Sequence, residues 1–279
     1  MNSINKIGLG TVQFGIPYGI SNKYGQTSEL EVSSILKKAR EVGINTLDTA
    51  NAYGASERVL GQNKIADFKI VSKFLRQHPS QTISDILKES LTNLNITALY
   101  GYMAHRPMDV VENPILWNEL NRLKQNGIIQ KIGFSFNEIF EIEEVLKLGF
   151  TPDIIQVPYN YFDNRFEKYM QELKSKGCEI HTRSAFLQGL FFVEINGLSS
   201  FFDEIKPIIE GLQKTIEDLP TALLQFCINK PFIDKVIFGV NTIDQFKSNI
   251  QGISKNLSPL PINTKKINES ILIPSKWPK

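Results

Sequence analysis

Four side chains of complementary chemistry lie within the first 105 residues: an acid (Asp48), a phenol five positions later (Tyr53), an ammonium (Lys73) and an imidazole (His105). Taken singly, each has an ordinary structural role. An aspartate after a strand most often forms a turn or caps a helix, a lysine at a strand end buries its stem and solvates its head, and a lone histidine or tyrosine usually packs. Together they suit proton transfer to a carbonyl. A tyrosine hydroxyl ordinarily ionises near pH ~10, and a neighbouring ammonium favours its phenolate. A carboxylate beside the lysine keeps that ammonium charged and directed. A neutral imidazole offers one donor to orient a carbonyl oxygen. A phenol tuned in this way can give its proton to that oxygen while hydride reaches the carbon.

Such a set works only if the backbone brings it together, and the pattern of elements supplies a means. Short apolar, β-branched runs at 6–12, 44–49, 69–74, 98–105, 131–136, 153–158, 178–184 and 235–240 read as strands. Segments of helical periodicity separate them. Ser28 or Thr27 caps the first, which runs to Gly43, and the punctuation Asn126-Gly127, Leu148-Gly149 and Lys176-Gly177 precedes later strands. The last gap holds two helix candidates, 200–217 and 221–229. Strands alternating with helices imply a parallel sheet. Eight units close most simply into a (β/α)8 TIM barrel, with an open doubly wound sheet as the alternative. Asp48, Lys73 and His105 then stand at equivalent ends of three successive strands, at the mouth where barrel chemistry is carried out. With no composition break along residues 1–279, a single domain is expected, and the Pro-containing segment 259–279 reads as a C-terminal surface tail.

The composition narrows the function classes. Lys and Arg total 31 against 29 Asp and Glu, a net charge of +2, which gives none of the basic bias of nucleic-acid or membrane-surface proteins. The two cysteines, Cys178 and Cys227, cannot build a disulfide framework or a cysteine metal cluster, so no metal is expected. No apolar run reaches the ~18–20 residues of a bilayer span, and the start carries no signal-peptide pattern. A cytoplasmic location is the default expectation.

At these residues the chain resembles the aldo-keto reductase family, in particular a bacterial branch of it. Gly8-Leu9-Gly10-Thr11-Val12-Gln13-Phe14-Gly15 resembles the opening strand, and Asn45-Thr46-Leu47-Asp48-Thr49-Ala50-Asn51-Ala52-Tyr53-Gly54 resembles the signature that ends on the catalytic tyrosine. Glu57 and Leu60-Gly61 continue it, Lys73 falls on the family lysine, and His105-Arg106-Pro107 on the family histidine. The resemblance implies a (β/α)8 barrel, Asp48, Tyr53, Lys73 and His105 as catalytic residues, and a nicotinamide cofactor bound without a Rossmann fold. The chain indeed has no strand–GxGxxG–helix unit.

The resemblance also implies where that cofactor lies. Gly10, Thr11, Val12 and Asp48 border it. Ser135 and Gln156 hold its carboxamide, with Phe136 standing where the family usually has an asparagine. The segment Arg183-Ser184-Ala185-Phe186-Leu187-Gln188-Gly189 replaces a stacking tyrosine, so that Arg183 or Ser184 takes the nicotinamide position while Leu187 and Gly189 line the pyrophosphate path. Gly239, Asn241, Gln245 and Asn249 contact the adenosine phosphate. NADP is implied ahead of NAD, although Gly239 and Gln245 stand where many members carry a lysine and an arginine for the 2′-phosphate.

The function expected is NAD(P)H-dependent reduction of a small-molecule aldehyde or ketone, with Tyr53 as proton donor. Phe14, Tyr18, Tyr24, Trp117, Phe191 and Phe192 are candidate pocket aromatics, and an aromatic-edged, roomy mouth suits a sugar-derived or otherwise polar carbonyl. Two rivals remain at this stage: a nicotinamide-binding sensor or regulatory subunit of little turnover, and a lyase that uses Lys73 as a Schiff-base former. Oligomeric state leaves no mark in the sequence.

Overall fold

The computed structural model describes residues 3–78, 80–255 and 257–278. Eight strands, β1 (Ile7–Gly10), β2 (Thr46–Asp48), β3 (Lys69–Phe74), β4 (Leu99–Ala104), β5 (Ile129–Ser135), β6 (Ile154–Pro158), β7 (Glu179–Arg183) and β8 (Lys235–Phe238), form a closed, all-parallel barrel in sequence order. The last strand returns to the first, with Gly8 opposite Ile237, so the open-sheet alternative is excluded. Helices follow the strands on the outside, as in a (β/α)8 TIM barrel. Strands buried on both faces need near-continuous apolar runs, and Ile-Gly-Leu-Gly and Ile-Ile-Gln-Val-Pro meet that need. Within the barrel, Val71, Met103 and Ile154 form a small cluster of their own.

The strand ends differ from the sequence pattern for local reasons. Position 12 opens a short helix, Val12–Gly15, although Thr11 N–H still donates to Asp48 O at 3.0 Å and extends the ladder by one bond. Ser184, at φ +64°, turns the chain out of β7. The helix Glu29–Glu41 is capped by Ser28, whose Oγ accepts from Glu31 N–H, and Gly43, Gly127, Gly149 and Gly177 all take the positive φ that a glycine C-cap provides. In the 200–217 segment the helix proper is shorter, Lys206–Thr215, because Pro207 fits only the first turn. Pro220 likewise sets the start of Leu219–Ile228.

The C-terminal segment is less superficial than its composition suggests. Ile267, Ile271 and Leu272 are buried in a second apolar cluster with Phe191, Phe202, Ile209 and Leu212, and Ile273 beside them is buried as well. Trp277 packs edge-on against Phe202 at 5.2 Å and donates from Nε1 to Ile271 O at 2.8 Å. Lys265 and Lys266 precede these anchors and Asn268, Glu269 and Ser270 lie between them, which is why a reading by composition places the whole segment on the surface. Truncating Leu272 to Ala is expected to cost about 2–5 kcal/mol of stability, read as a lower urea midpoint. A loss under about 0.5 kcal/mol, typical of a surface site, would show that the tail does not anchor the second cluster.

Candidate active site

The C-terminal ends of β2, β3 and β4 bring an acid, a cation and an imidazole to one mouth. The Lys73 ammonium donates to Asp48 Oδ1 at 2.6 Å and to Thr49 O at 3.0 Å, and lies 3.3 Å from the Tyr53 hydroxyl oxygen. Asp48 has a second tether, since Gln156 Nε2 donates to its Oδ2 at 2.7 Å. Lys73 and Asp48 are almost wholly buried. Burial opposes the lysine charge, but the Asp48 carboxylate, with the Tyr53 oxygen, outweighs it and holds the ammonium above its ordinary range. A Schiff-base role needs a neutral amine, which this environment disfavours. His105 stands edge-on to Tyr53, ring centroids 5.8 Å apart.

The phenol sits on the loop after β2, and its position is set by backbone contact. Gly15, at the end of the Val12–Gly15 turn, lies under this loop. A Cβ there would fall 1.7 Å from Tyr53 O, so only glycine permits the approach. The turn is fixed further by Thr11, whose Oγ1 donates to Asp48 O and pairs with Ser56.

The mouth opens into an elongated cavity of about 940 Å³. Tyr53, His105 and Asp48 line it together with Gly10, Thr11, Val12, Arg183 and Ser184. Gly189, Gly239, Asn241, Gln245 and Asn249 line it as well. Four expected site residues lie behind the surface: Lys73 and Ser135 are buried at strand ends, Gln156 is buried in the middle of β6, and Leu187 is buried in the second apolar cluster. Arg183 is held by neutral acceptors, donating to Phe136 O at 3.0 Å, Asn137 Oδ1 at 2.6 Å and Ser184 Oγ at 3.2 Å. The segment 16–28 ties one wall of the cavity to the other. Ile20 N–H donates to Gln188 O, Gln188 Nε2 to the Tyr18 hydroxyl and Asn241 Nδ2 to Gly25 O, at 2.9, 2.9 and 3.2 Å.

Among the aromatic candidates, Tyr18, Tyr24 and Phe192 line the cavity. Phe14 and Phe191 are fully buried, and Trp117 stacks on Phe134 and Phe150 at 5.1 Å, so these three are core residues. Apolar periodicity alone does not separate rim from core. Lining residues outside the expected set include Gln13, Asn137 and Gln188. Gln13 lies inside the Gly-rich opening motif and Asn137 directly after Phe136, so proximity to motifs was their only sequence signal.

Of the eight buried side-chain polar atoms that lack a hydrogen-bond partner among the described residues, two are amide oxygens, Gln156 Oε1 and Gln13 Oε1. An amide oxygen left so costs about 1–3 kcal/mol, and a carboxamide N–H2 or a ribose hydroxyl would satisfy one. That chemistry fits a nicotinamide dinucleotide along the cavity.

A model of the aldo/keto reductase family matches residues 6–266. The Bacillus subtilis protein named uncharacterized oxidoreductase YqkF is 27% identical over 89% of this chain and 87% of its own length. Escherichia coli methylglyoxal reductase DkgA is 28% identical over a match covering 47% of this chain and 50% of that protein. The holo structure of the aldo-keto reductase AKR11C1 from Bacillus halodurans superposes with a TM-score of 0.72 at 24% identity, covering 92% of this chain and 88% of that one.

Burial, reinforced by the charges of Lys73, Arg183 and Arg106, pushes the His105 pKa down to about 3. The ring is therefore neutral at physiological pH and offers a single N–H. The unfolded chain binds this proton near pH ~6.5 and the folded chain does not until about 3, so His105 makes stability fall as pH drops through that window. Its imidazole resonance should show no inflection between about pH 5 and 8 by NMR. An inflection near the ordinary histidine value would mean the ring is charged in the folded protein at working pH.

Proposed function

The chain belongs to the aldo/keto reductase family, and on that premise we propose that it reduces an aldehyde or ketone to an alcohol with NADPH or NADH, Tyr53 supplying the proton. The observation that carries this reading is the buried relay Gln156–Asp48–Lys73–Tyr53, which delivers an ammonium to a phenol at the cavity wall. A reduced nicotinamide, when bound, supplies hydride to the carbonyl carbon. Everything else is work for the protein's own groups.

Tyr53 passes its hydroxyl proton to the carbonyl oxygen as that oxygen becomes an alkoxide. The Lys73 ammonium, 3.3 Å away, stabilises the phenolate left behind. Asp48 keeps Lys73 charged and aimed, and Gln156 keeps Asp48 from rotating. The neutral His105 donates one hydrogen bond to the substrate oxygen and so fixes the carbonyl beside the phenol. Gln156 and Ser135 would hold the carboxamide, Arg183 and Ser184 the nicotinamide end, and Gly189, Gly239, Asn241, Gln245 and Asn249 the phosphates and adenosine; Gly10, Thr11 and Val12 would border the path.

Tyr18, Tyr24 and Phe192 edge a mouth that also carries Asn137, Arg183 and Gln188. This mixture suits a polar carbonyl compound, sugar-derived or a small dicarbonyl. Methylglyoxal, which gives the Escherichia coli relative its name, is the first of that class to screen. A sensor with little turnover would have no use for the buried relay.

Tyr53→Phe should lower kcat by about 10²–10⁴-fold, the usual share of a general acid, while NADH and NADPH affinities measured by fluorescence titration stay within about two-fold. Unchanged turnover would remove Tyr53 from the chemistry. Gly15→Ala, which forces the Tyr53 loop outward without touching a reacting group, should lower kcat by about 10-fold or more with cofactor affinity retained. A fully active variant would show that the loop position is not what sets the phenol.

A further inference from the structure

At the catalytic end of the cleft the polar side chains spend their acceptors on one another and keep their donors. The Tyr18 hydroxyl accepts from Gln188 Nε2 at 2.9 Å, and its own proton has no acceptor among the described residues. A guanidinium can only donate, so Asn137 turns its Oδ1 to Arg183, at 2.6 Å, and leaves its Nδ2 hydrogens unspent. Ser184 Oγ likewise accepts from Arg183, at 3.2 Å, and keeps its hydroxyl proton. Together with Tyr53 and the single N–H of the neutral His105, this part of the lining presents donors to whatever enters. Burial holds the Tyr18 hydroxyl above its ordinary range against the pull of the Arg183 charge, so the group stays protonated and able to donate.

The charges agree with the donors. The charged residues lining the cavity are Lys23, Asp48, Arg183 and Asp244. Asp48 has both oxygens occupied, by Lys73 and Gln156. Lys23 is exposed on the 16–28 segment, and Asp244 stands at the far end, in the helix Ile243–Ile253, with Lys247 at 3.7 Å. Arg183 is half-buried and has no carboxylate beside it, only Phe136 O, Asn137 Oδ1 and Ser184 Oγ. Neutral acceptors orient a guanidinium without neutralising it, and it does not shed its proton. The nicotinamide ring of a reduced dinucleotide is uncharged, so the cofactor's reactive end cannot compensate it. The carbonyl substrate is the partner able to bring a negative charge.

We propose that Tyr18 and Asn137 are specificity-determining residues that, beside the Arg183 guanidinium, select carbonyl substrates carrying a carboxylate. This rests on the reductase reading above and deepens it, narrowing the polar carbonyl class to its anionic members. The carbonyl oxygen lies with Tyr53 and His105, and the carboxylate with the Tyr18 hydroxyl, Asn137 Nδ2 and the guanidinium. Hydrogen bonds to an ionised acceptor are about twice as strong as neutral ones, so a row of free donors rewards a carboxylate most. A neutral polyol leaves Arg183 uncompensated.

The test is steady-state reduction of matched pairs, glyoxylate against methyl glyoxylate and levulinate against methyl levulinate, with NADH and with NADPH. Each ester keeps the reducible carbonyl and removes the charge, and the two pairs differ in the spacing between carbonyl and carboxylate. Wild type should favour the acid of at least one pair by about ten-fold or more in kcat/KM. Asn137→Asp keeps an acceptor for Arg183 but sets a carboxylate beside it, and should lower that preference by about ten-fold. Tyr18→Phe should lower it by about three-fold or more, with the KM of the acid rising more than its kcat falls. Equal rates on acids and esters, or a preference for the esters, overturn the inference and leave the reductase reading standing. An acid preference that neither variant lowers also overturns it, as does turnover of other aldehydes but of neither acid. Turnover of no aldehyde or ketone with either cofactor removes the reductase reading and the inference with it. The preference is a ratio of two substrates on one protein, so a partly unfolded variant does not mimic its loss, and thermal melting of both variants checks the fold.

Discussion

The buried ion pair of Lys73 and Asp48 is the interaction on which the rest of the site depends. Two charges removed from water at 2.6 Å are tolerable only when their remaining polar valences are filled. Here they are: Thr49 O and the Tyr53 oxygen complete the ammonium, and Gln156 takes the second carboxylate oxygen. Removing either partner would strand a buried charge, at about 3–5 kcal/mol. A hydrophobic pair would close the top of the barrel as well and would be easier to bury, so the expense is explained by what the pair does for the phenol. Because the two residues stand on adjacent strands, with Asp48 beside Val71 in the ladder, barrel closure and site assembly are one event.

The same logic extends outward from the pair. Gly15 allows the turn after β1 to press against the Tyr53 loop, so strand order fixes the cation and backbone contact fixes the phenol. Segment 16–28 then crosses to Gln188 and Asn241 and joins the two walls of the cleft. On the far side, the chain from Ser184 to Gly189 passes through four positive φ angles, at Ser184, Leu187, Gln188 and Gly189, and three of these residues are not glycine. Such backbone persists only when packing holds it. Leu187, buried with Phe191 and Phe162, is the anchor, which explains why it faces the second core while its neighbours face the cavity. The tail that buries Ile271 and Leu272 in this cluster therefore supports the cleft from behind, and Ile273, Pro274 and Ser275 reach the lining itself.

Much of this was legible in the order of residues. The eight strands follow from apolar runs spaced by helical segments, and their ends at Asp48, Lys73 and His105 follow from strand length alone. Helix limits were legible wherever punctuation is local: Ser28 as a cap, and Gly43, Gly127, Gly149 and Gly177 as stops. Legibility failed where the deciding contact is distant. Phe14, Trp117 and Phe191 look no different from Tyr18, Tyr24 and Phe192 in sequence, yet one set is interior and the other lines the cavity. The tail reads as polar because its buried residues are few and are interrupted by Asn268, Glu269 and Ser270 and flanked by lysines.

By itself, then, the sequence determined the barrel, the strand ends that carry the acid, the cation and the imidazole, and the family resemblance of its motifs, because periodicity, caps and strand length are properties of near neighbours. Only the tertiary structure decided that Gln156 locks Asp48, that Gly15 sets the height of Tyr53 and that His105 is held neutral. Those are facts about proximity and dielectric, and both arise only when distant segments close around one another and exclude water.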